Sequence, residues 1–206
     1  MSSIGKRVVV LKVGTSSILT PDYSSIRLSM IATIAEVCAR LKQFGFEPIV
    51  VSSGAVGVGC VRLHRKSRPT SISAVQALAS VGQGYLMRMW DDALSAVNLR
   101  AGLILLTYDT FGERAHYNAA SACFQEVLKI GAVPIVNNND ATGVTQIEDN
   151  DTLAAMVAAM VSSSRSRDSQ PFASHAQNYN NADNESIIDG NSQRLRCCDC
   201  LSTASV

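Results

Sequence analysis

Short apolar runs alternate along this chain with longer stretches in which apolar residues recur every three or four positions. Val8 to Val13 is an apolar run of strand length, closed by Gly14. Residues 24–44 place Ile26, Met30, Ile34, Val37, Cys38 and Leu41 at helical spacing and stop at Gly45. Pro48 to Ser52 reads as a second strand, followed by a glycine-rich turn. Residues 71–97 predict one long helix or two, through Val75, Leu78, Val81, Leu86, Trp90 and Leu94. Leu103 to Leu106 is a third strand, and Ala115 to Ile130 a helix ending at Gly131. Val133 to Val136 is a fourth strand, and Asn150 opens a last helix. Apolar strands alternating with helices predict an α/β fold with a mainly parallel sheet covered on both faces. Such sheets bind ligands outside the carboxyl ends of their strands.

The alternation stops near Val161. Residues 162–206 are rich in Ser, Asn, Gln and Asp and show no period. A segment of that kind buries too little apolar surface to offset the entropy of ordering it. The reading is therefore one folded unit over residues 1–161 and a disordered tail over 162–206.

Composition narrows the function classes. The chain is 47% hydrophobic and 17% charged, with a formal net charge of +1. That balance supports a sizeable core and gives no reason to expect a nucleic acid or an anionic membrane as partner. No secretory or membrane segment is visible, so a cytoplasmic protein is expected. Cys38, Cys60 and Cys123 lie singly in apolar segments, as small buried thiols do. Cys197, Cys198 and Cys200 crowd together, but no second cluster completes a zinc set, so no metal site is assigned. His64, His116 and His175 have no ligand spacing.

Candidate chemistry sits at the strand ends. The first strand carries Lys12 and runs into Gly14, Thr15, Ser16 and Ser17. This is either a phosphate cradle, with Lys12 as a point charge on a transferring phosphoryl group, or a snorkelling lysine beside an ordinary turn. The second strand ends in Ser52 and Ser53, and Gly54, Gly57 and Gly59 follow. Their backbone N–H groups suit a carboxylate or phosphate, or the small residues serve close packing. The spacing is not that of a dinucleotide site, and no P-loop sequence exists. Asn137, Asn138, Asn139 and Asp140 directly follow the fourth strand. The carboxylate suits an ammonium and the amides suit a carboxylate, so an amino-acid ligand is favoured over a plain turn. Glu148, Asp149, Asn150 and Asp151 precede an apolar helical run, where acids cap a helix and complement its dipole.

Six blocks now stand in one order: KVGTSSILT, VVSSGAVGVG, VQALASVGQGYLMRMWDDAL, ILLTYDTF, GAVPIVNNNDATG and EDNDTLAAMVA. Together, over about Arg7 to Val161, they resemble the glutamate 5-kinases of the amino-acid kinase superfamily. The resemblance implies a three-layer αβα sandwich that transfers the γ-phosphoryl group of MgATP to the side-chain carboxylate of L-glutamate. That reaction opens proline biosynthesis. Position by position, Lys12 matches the lysine on the ATP phosphates and Gly14 the phosphate-turn glycine. Ser53, Asp140 and Asn150 match the residues that hold glutamate. The resemblance also implies a homo-oligomer when the protein is intact, with proline as a feedback inhibitor.

Two departures bear on that expectation. Asn138 stands where the family usually carries a glutamate. After Val161 the family's Leu-Thr-Asp strand end and its Gly-Met-x-x-Lys loop, which hold the nucleotide, find no counterpart. The fold is thus expected to be incomplete, with an exposed sheet edge, an unpartnered last helix and low stability or a partner subunit. Two other readings are carried: a non-catalytic glutamate- or proline-binding fragment, and a related aspartate or acetylglutamate kinase.

Overall fold

A computed structural model of the chain describes residues 7–143 and 150–163. The elements run β1 (Val8–Val13), α1 (Thr15–Ile18), α2 (Leu28–Gln43), β2 (Glu47–Ser52), α3 (Ala55–Arg62), α4 (Ile72–Ala96), β3 (Ala101–Leu106), α5 (Tyr108–Gly112), α6 (Arg114–Lys129), β4 (Val133–Asn138) and α7 (Asn150–Ser163). The four strands form one parallel sheet in the order β1-β2-β4-β3. The tail beyond residue 163, with its cysteine cluster and His175, lies outside the described residues, as do Glu148 and Asp149.

Side-chain alternation divides each strand between two layers. Leu11, Val13, Val50, Val133 and Ile135 meet α1 to α4 through Ile18, Ile31, Cys38, Leu86, Trp90 and Leu94. Val8, Val10, Ile49, Val51, Ile104 and Val136 meet α6 and α7 through Phe124, Leu153, Val157 and Met160. Burial on both faces explains why the central strands β2 and β4 read as apolar runs. The three-layer expectation is met over the described residues.

Three expectations are corrected. The glycine-rich stretch after β2 is helix α3, not a turn, although Gly57 and Gly59 lie inside it. Glycine is a poor helix former, but here it removes side chains from a close helix contact. A Cβ on Gly59 would lie 2.2 Å from the Leu78 carbonyl oxygen, and one on Gly82 would lie 1.8 Å from that of Ala55. Helices α3 and α4 therefore touch backbone to backbone, with Val56, Cys60, Val75, Leu78 and Ala79 packed around the contact. Second, β4 extends through Asn137 and Asn138, which pair with Leu105 and Leu106 of β3 and are not turn residues. Third, the last helix does not lack partners: α7 lies on the sheet with Leu153, Val157 and Met160 fully buried. The sheet edges among the described residues are β1 and β3, and Leu103 and Leu105 of β3 are exposed.

Two polar contacts anchor the upper layer. Trp90, fully buried, donates its indole N–H to Ser52 Oγ at 3.0 Å. Lys42 pairs with the buried Glu47 at the start of β2. Cys38 is fully buried, and burial pushes its thiol up to about 12, with Lys42 acting weakly in the opposite direction. At pH 8 it is therefore held almost entirely as the unreactive thiol. A thiol reagent should therefore label the exposed Cys123 in the native protein and reach Cys38 only on unfolding. Peptide mass spectrometry of a labelling time course checks this; equal rates at the two sites would contradict it.

Candidate functional site

The carboxyl ends of β1, β2 and β4 and the start of α7 gather most of the candidate residues. Alternation along β1 puts Lys12 on the same face as Val8 and Val10, the face that α7 covers. There Lys12 Nζ meets Asp151 Oδ1 of α7 at 2.9 Å. Gly14 follows one residue later. A Cβ on it would come 3.6 Å from Lys12 Nζ, so glycine keeps that flank of the ammonium open. Lys12 and Gly14 thus fit the approach of a phosphate group to a charged, uncrowded corner.

Ser53 leaves β2 and is followed by Gly54, which caps α3 at φ 109°. That left-handed conformation costs glycine little and other residues considerably more. The sharp turn holds Ser53 at the sheet end, where its backbone N–H donates to the Val13 carbonyl at 2.9 Å. Asn150 Nδ2 donates to Ser53 Oγ at 2.6 Å and to Asn137 Oδ1 at 3.3 Å. Asn137 Nδ2 in turn donates to Gln83 Oε1 of α4 at 2.8 Å. One network therefore spans β2, β4, α4 and α7.

A backbone group sets the direction of every bond in it. The Asn138 N–H donates to Asn137 Oδ1 at 2.9 Å. A backbone N–H can only donate, so the Asn137 oxygen must face it and its nitrogen must face Gln83. The same oxygen requires Asn150 to present its nitrogen. Ser53 Oγ accepts from that nitrogen, so its own hydroxyl proton remains to be donated to a ligand oxygen.

Asp140 joins from the turn after β4. Its Oδ1 accepts from Asn138 Nδ2 at 2.9 Å. Burial pushes the Asp140 carboxyl above its ordinary value, and the Asn138 amide and the Arg68 charge partly offset this. A desolvated carboxylate of that kind gains more from an arriving cation than an exposed one does.

Lys12, Gly14, Ser53, Asp140 and Asn150 are thus all on or beside the strand ends, and Ser53, Asn150 and Asp140 are linked through Asn137 and Asn138. Sequence reasoning missed the parts played by Asp151, Gln83 and Asn137. Asp151 reads as a first-turn helix acid, and only the fold shows its lysine partner. A glutamine set between Gly82 and Gly84 was the available signal for Gln83.

A cavity of about 440 Å³ lies elsewhere, lined by Asp22, Tyr23, Ser24, Val61, His64, Arg65 and Lys66. It shares no residue with the network. Among the described residues, no three His, Cys, Asp or Glu side chains could hold a metal ion, and no helix is long and apolar enough to cross a membrane.

The sequence is similar to known proteins. Residues 7–166 match the model of the amino acid kinase family. A glutamate 5-kinase of Synechococcus sp. (strain JA-3-3Ab) is 47% identical over 155 residues, covering 74% of this chain and 42% of that protein. One from Acaryochloris marina is 46% identical over 158 residues, covering 75% of this chain and 43% of that protein. One from Rippkaea orientalis is 43% identical over 158 residues, with 76% and 43% covered. The chain thus spans less than half the length of these relatives. A parallel sheet layered between helices, a charged corner at Lys12 and a family match over most of the sequence lead to one assignment: the chain belongs to the amino acid kinase family.

Proposed function

We propose that this chain forms the glutamate-holding part of a cytoplasmic glutamate 5-kinase, which phosphorylates the side-chain carboxylate of L-glutamate at the start of proline biosynthesis. The observation that carries the reading is the bond from Asn150 to Ser53, which joins the α7 start to the β2 end and continues through Asn137. It supports a preformed amino-acid site next to the Lys12 corner.

ATP supplies the phosphoryl group, and Lys12 with the open flank at Gly14 is the part of the chain that suits its phosphates. Mg²⁺ is assigned to the nucleotide phosphates, as is usual for this cation. The acceptor is already a carboxylate at neutral pH, so no general base is required. The protein's task is then positioning and charge stabilisation. Asp140 pairs with the substrate ammonium, and Ser53 donates its hydroxyl to a substrate carboxylate. Asn150 keeps Ser53 in the donating orientation. Asp151 holds Lys12 extended at the sheet end, ready to stabilise negative charge on the moving group. A homo-oligomeric assembly and inhibition by proline at the amino-acid site belong to the same proposal.

Thermal shift and calorimetry with L-glutamate test it. Saturable stabilisation by L-glutamate, absent with D-glutamate, is expected. No stabilisation by L-glutamate would overturn the reading. Trapping γ-glutamyl phosphate with hydroxylamine separates transfer from binding: binding without ATP-dependent hydroxamate would leave a glutamate-holding unit that does not catalyse alone.

A further inference from the structure

We propose that Asn138 is a positioning residue for Asp140, holding one carboxylate oxygen by a donated amide hydrogen bond so that the other faces the ammonium of the substrate. The inference rests on the glutamate reading above and adds a determinant of selectivity for an amino acid over a plain dicarboxylate.

Three observations support it. Asn138 is only 6% exposed and is fixed at the end of β4 by pairing with Leu106. Its Nδ2 lies 2.9 Å from Asp140 Oδ1. A carboxylate only accepts, so the amide must present its nitrogen there and cannot rotate without leaving a partly buried acceptor unmet. The same residue's backbone N–H orients Asn137. One residue therefore ties the ammonium-binding arm to the arm that carries Asn150 and Ser53.

The residue type matters as well as the geometry. A lysine at 138 would satisfy Asp140 but cancel the charge that a ligand ammonium needs. A carboxylate, which the family usually carries at this position, accepts only and could not donate to Asp140. An amide donates without changing the local charge. The other described charge that acts on Asp140 is Arg68, from the segment between α3 and α4. β4 and its turn contribute neutral Asn138 and Asn139.

The test uses the full chain and compares L-glutamate with glutarate, which lacks the ammonium, in the wild type, Asn138→Ala and Asn138→Leu. The wild type should prefer L-glutamate. Both variants should weaken L-glutamate about tenfold or more and glutarate less than about twofold, so that the preference collapses. Carboxyl ¹³C NMR, with the Asp140 signal assigned through Asp140→Asn, should show Asp140 titrating at higher pH in both variants. Equal weakening of the two ligands, or an unmoved Asp140 titration, would overturn the role of Asn138. A wild type indifferent to L-glutamate would overturn the underlying glutamate reading, while the Asp140 titration still decides whether Asn138 controls that carboxylate. Asn138→Leu keeps the side-chain size, so it serves if Asn138→Ala fails to fold.

Discussion

Gly82→Ala is expected to lower the unfolding free energy by about 3 kcal/mol, while Gly84→Ala, on the same helix, raises it by up to about 1 kcal/mol. The two substitutions are chemically identical and differ only in surroundings. At Gly82 the added methyl would meet the Ala55 carbonyl oxygen at 1.8 Å and the Gly59 nitrogen at 2.5 Å. Both are backbone atoms, which cannot move aside by a rotamer change, so α3 and α4 must separate. Separation loosens the packing of Val56, Cys60, Val75 and Leu78. At Gly84 nothing lies within 4 Å, so only the helix preference for alanine is felt. In melting temperature the Gly82 effect corresponds to a fall of roughly 6–12 °C for a domain of this size. Urea unfolding of the three proteins measures the difference. Equal stabilities for the two variants would contradict the backbone contact.

Asp140→Ala should weaken L-glutamate binding about 100-fold or more, and Asp140→Asn nearly as much. Both remove the charge proposed to face the ammonium, and the amide variant tests whether shape alone suffices. The effect should depend on pH in a definite direction. Burial holds the Asp140 carboxyl above its ordinary value. Glutamate affinity should therefore fall as the pH drops through that raised value, because a proton then competes with the ammonium. Without ligand the linkage has the opposite sense. The folded chain keeps the Asp140 proton to higher pH than the unfolded chain does. This group's contribution to stability is thus greatest below the unfolded value and is lost as the pH rises through the folded one. Calorimetry from acid to neutral pH tests the first statement, and an affinity rising toward low pH would refute it.

Much of the framework was legible because the central strands β2 and β4 are buried on both faces. Val8–Val13 and the core of β2 and β4 are apolar runs bounded by glycine or polar residues, and the sheet reproduces them. Helix α3 was not legible, since local propensity argues against a helix containing Gly57 and Gly59. Only its tertiary contact with α4 explains their presence. Helices α1 and α5 span four and five residues, too short to establish a period. In the site, Ser53 and Asn150 were recognisable from their places at a strand end and a helix start. The bond between them was not, because it joins residues 97 positions apart. The same holds for Lys12 and Asp151. Each has an adequate local explanation, and the sheet register and the docking of α7 are what bring them together.

The parallel strand order has a consequence for how the site comes into being. Every neighbour pair in the sheet is a crossover connection, so each demands closure of a long loop before any ladder bond forms. Chains dominated by such distant contacts fold slowly. No hairpin or other local unit contains both Ser53 and Asn150. During synthesis the Ser53–Asn150 network therefore has to wait until α7 has emerged and docked on a sheet whose first strand was made long before. On the proposed function, L-glutamate would act on this last step, favouring the docked arrangement once it is available.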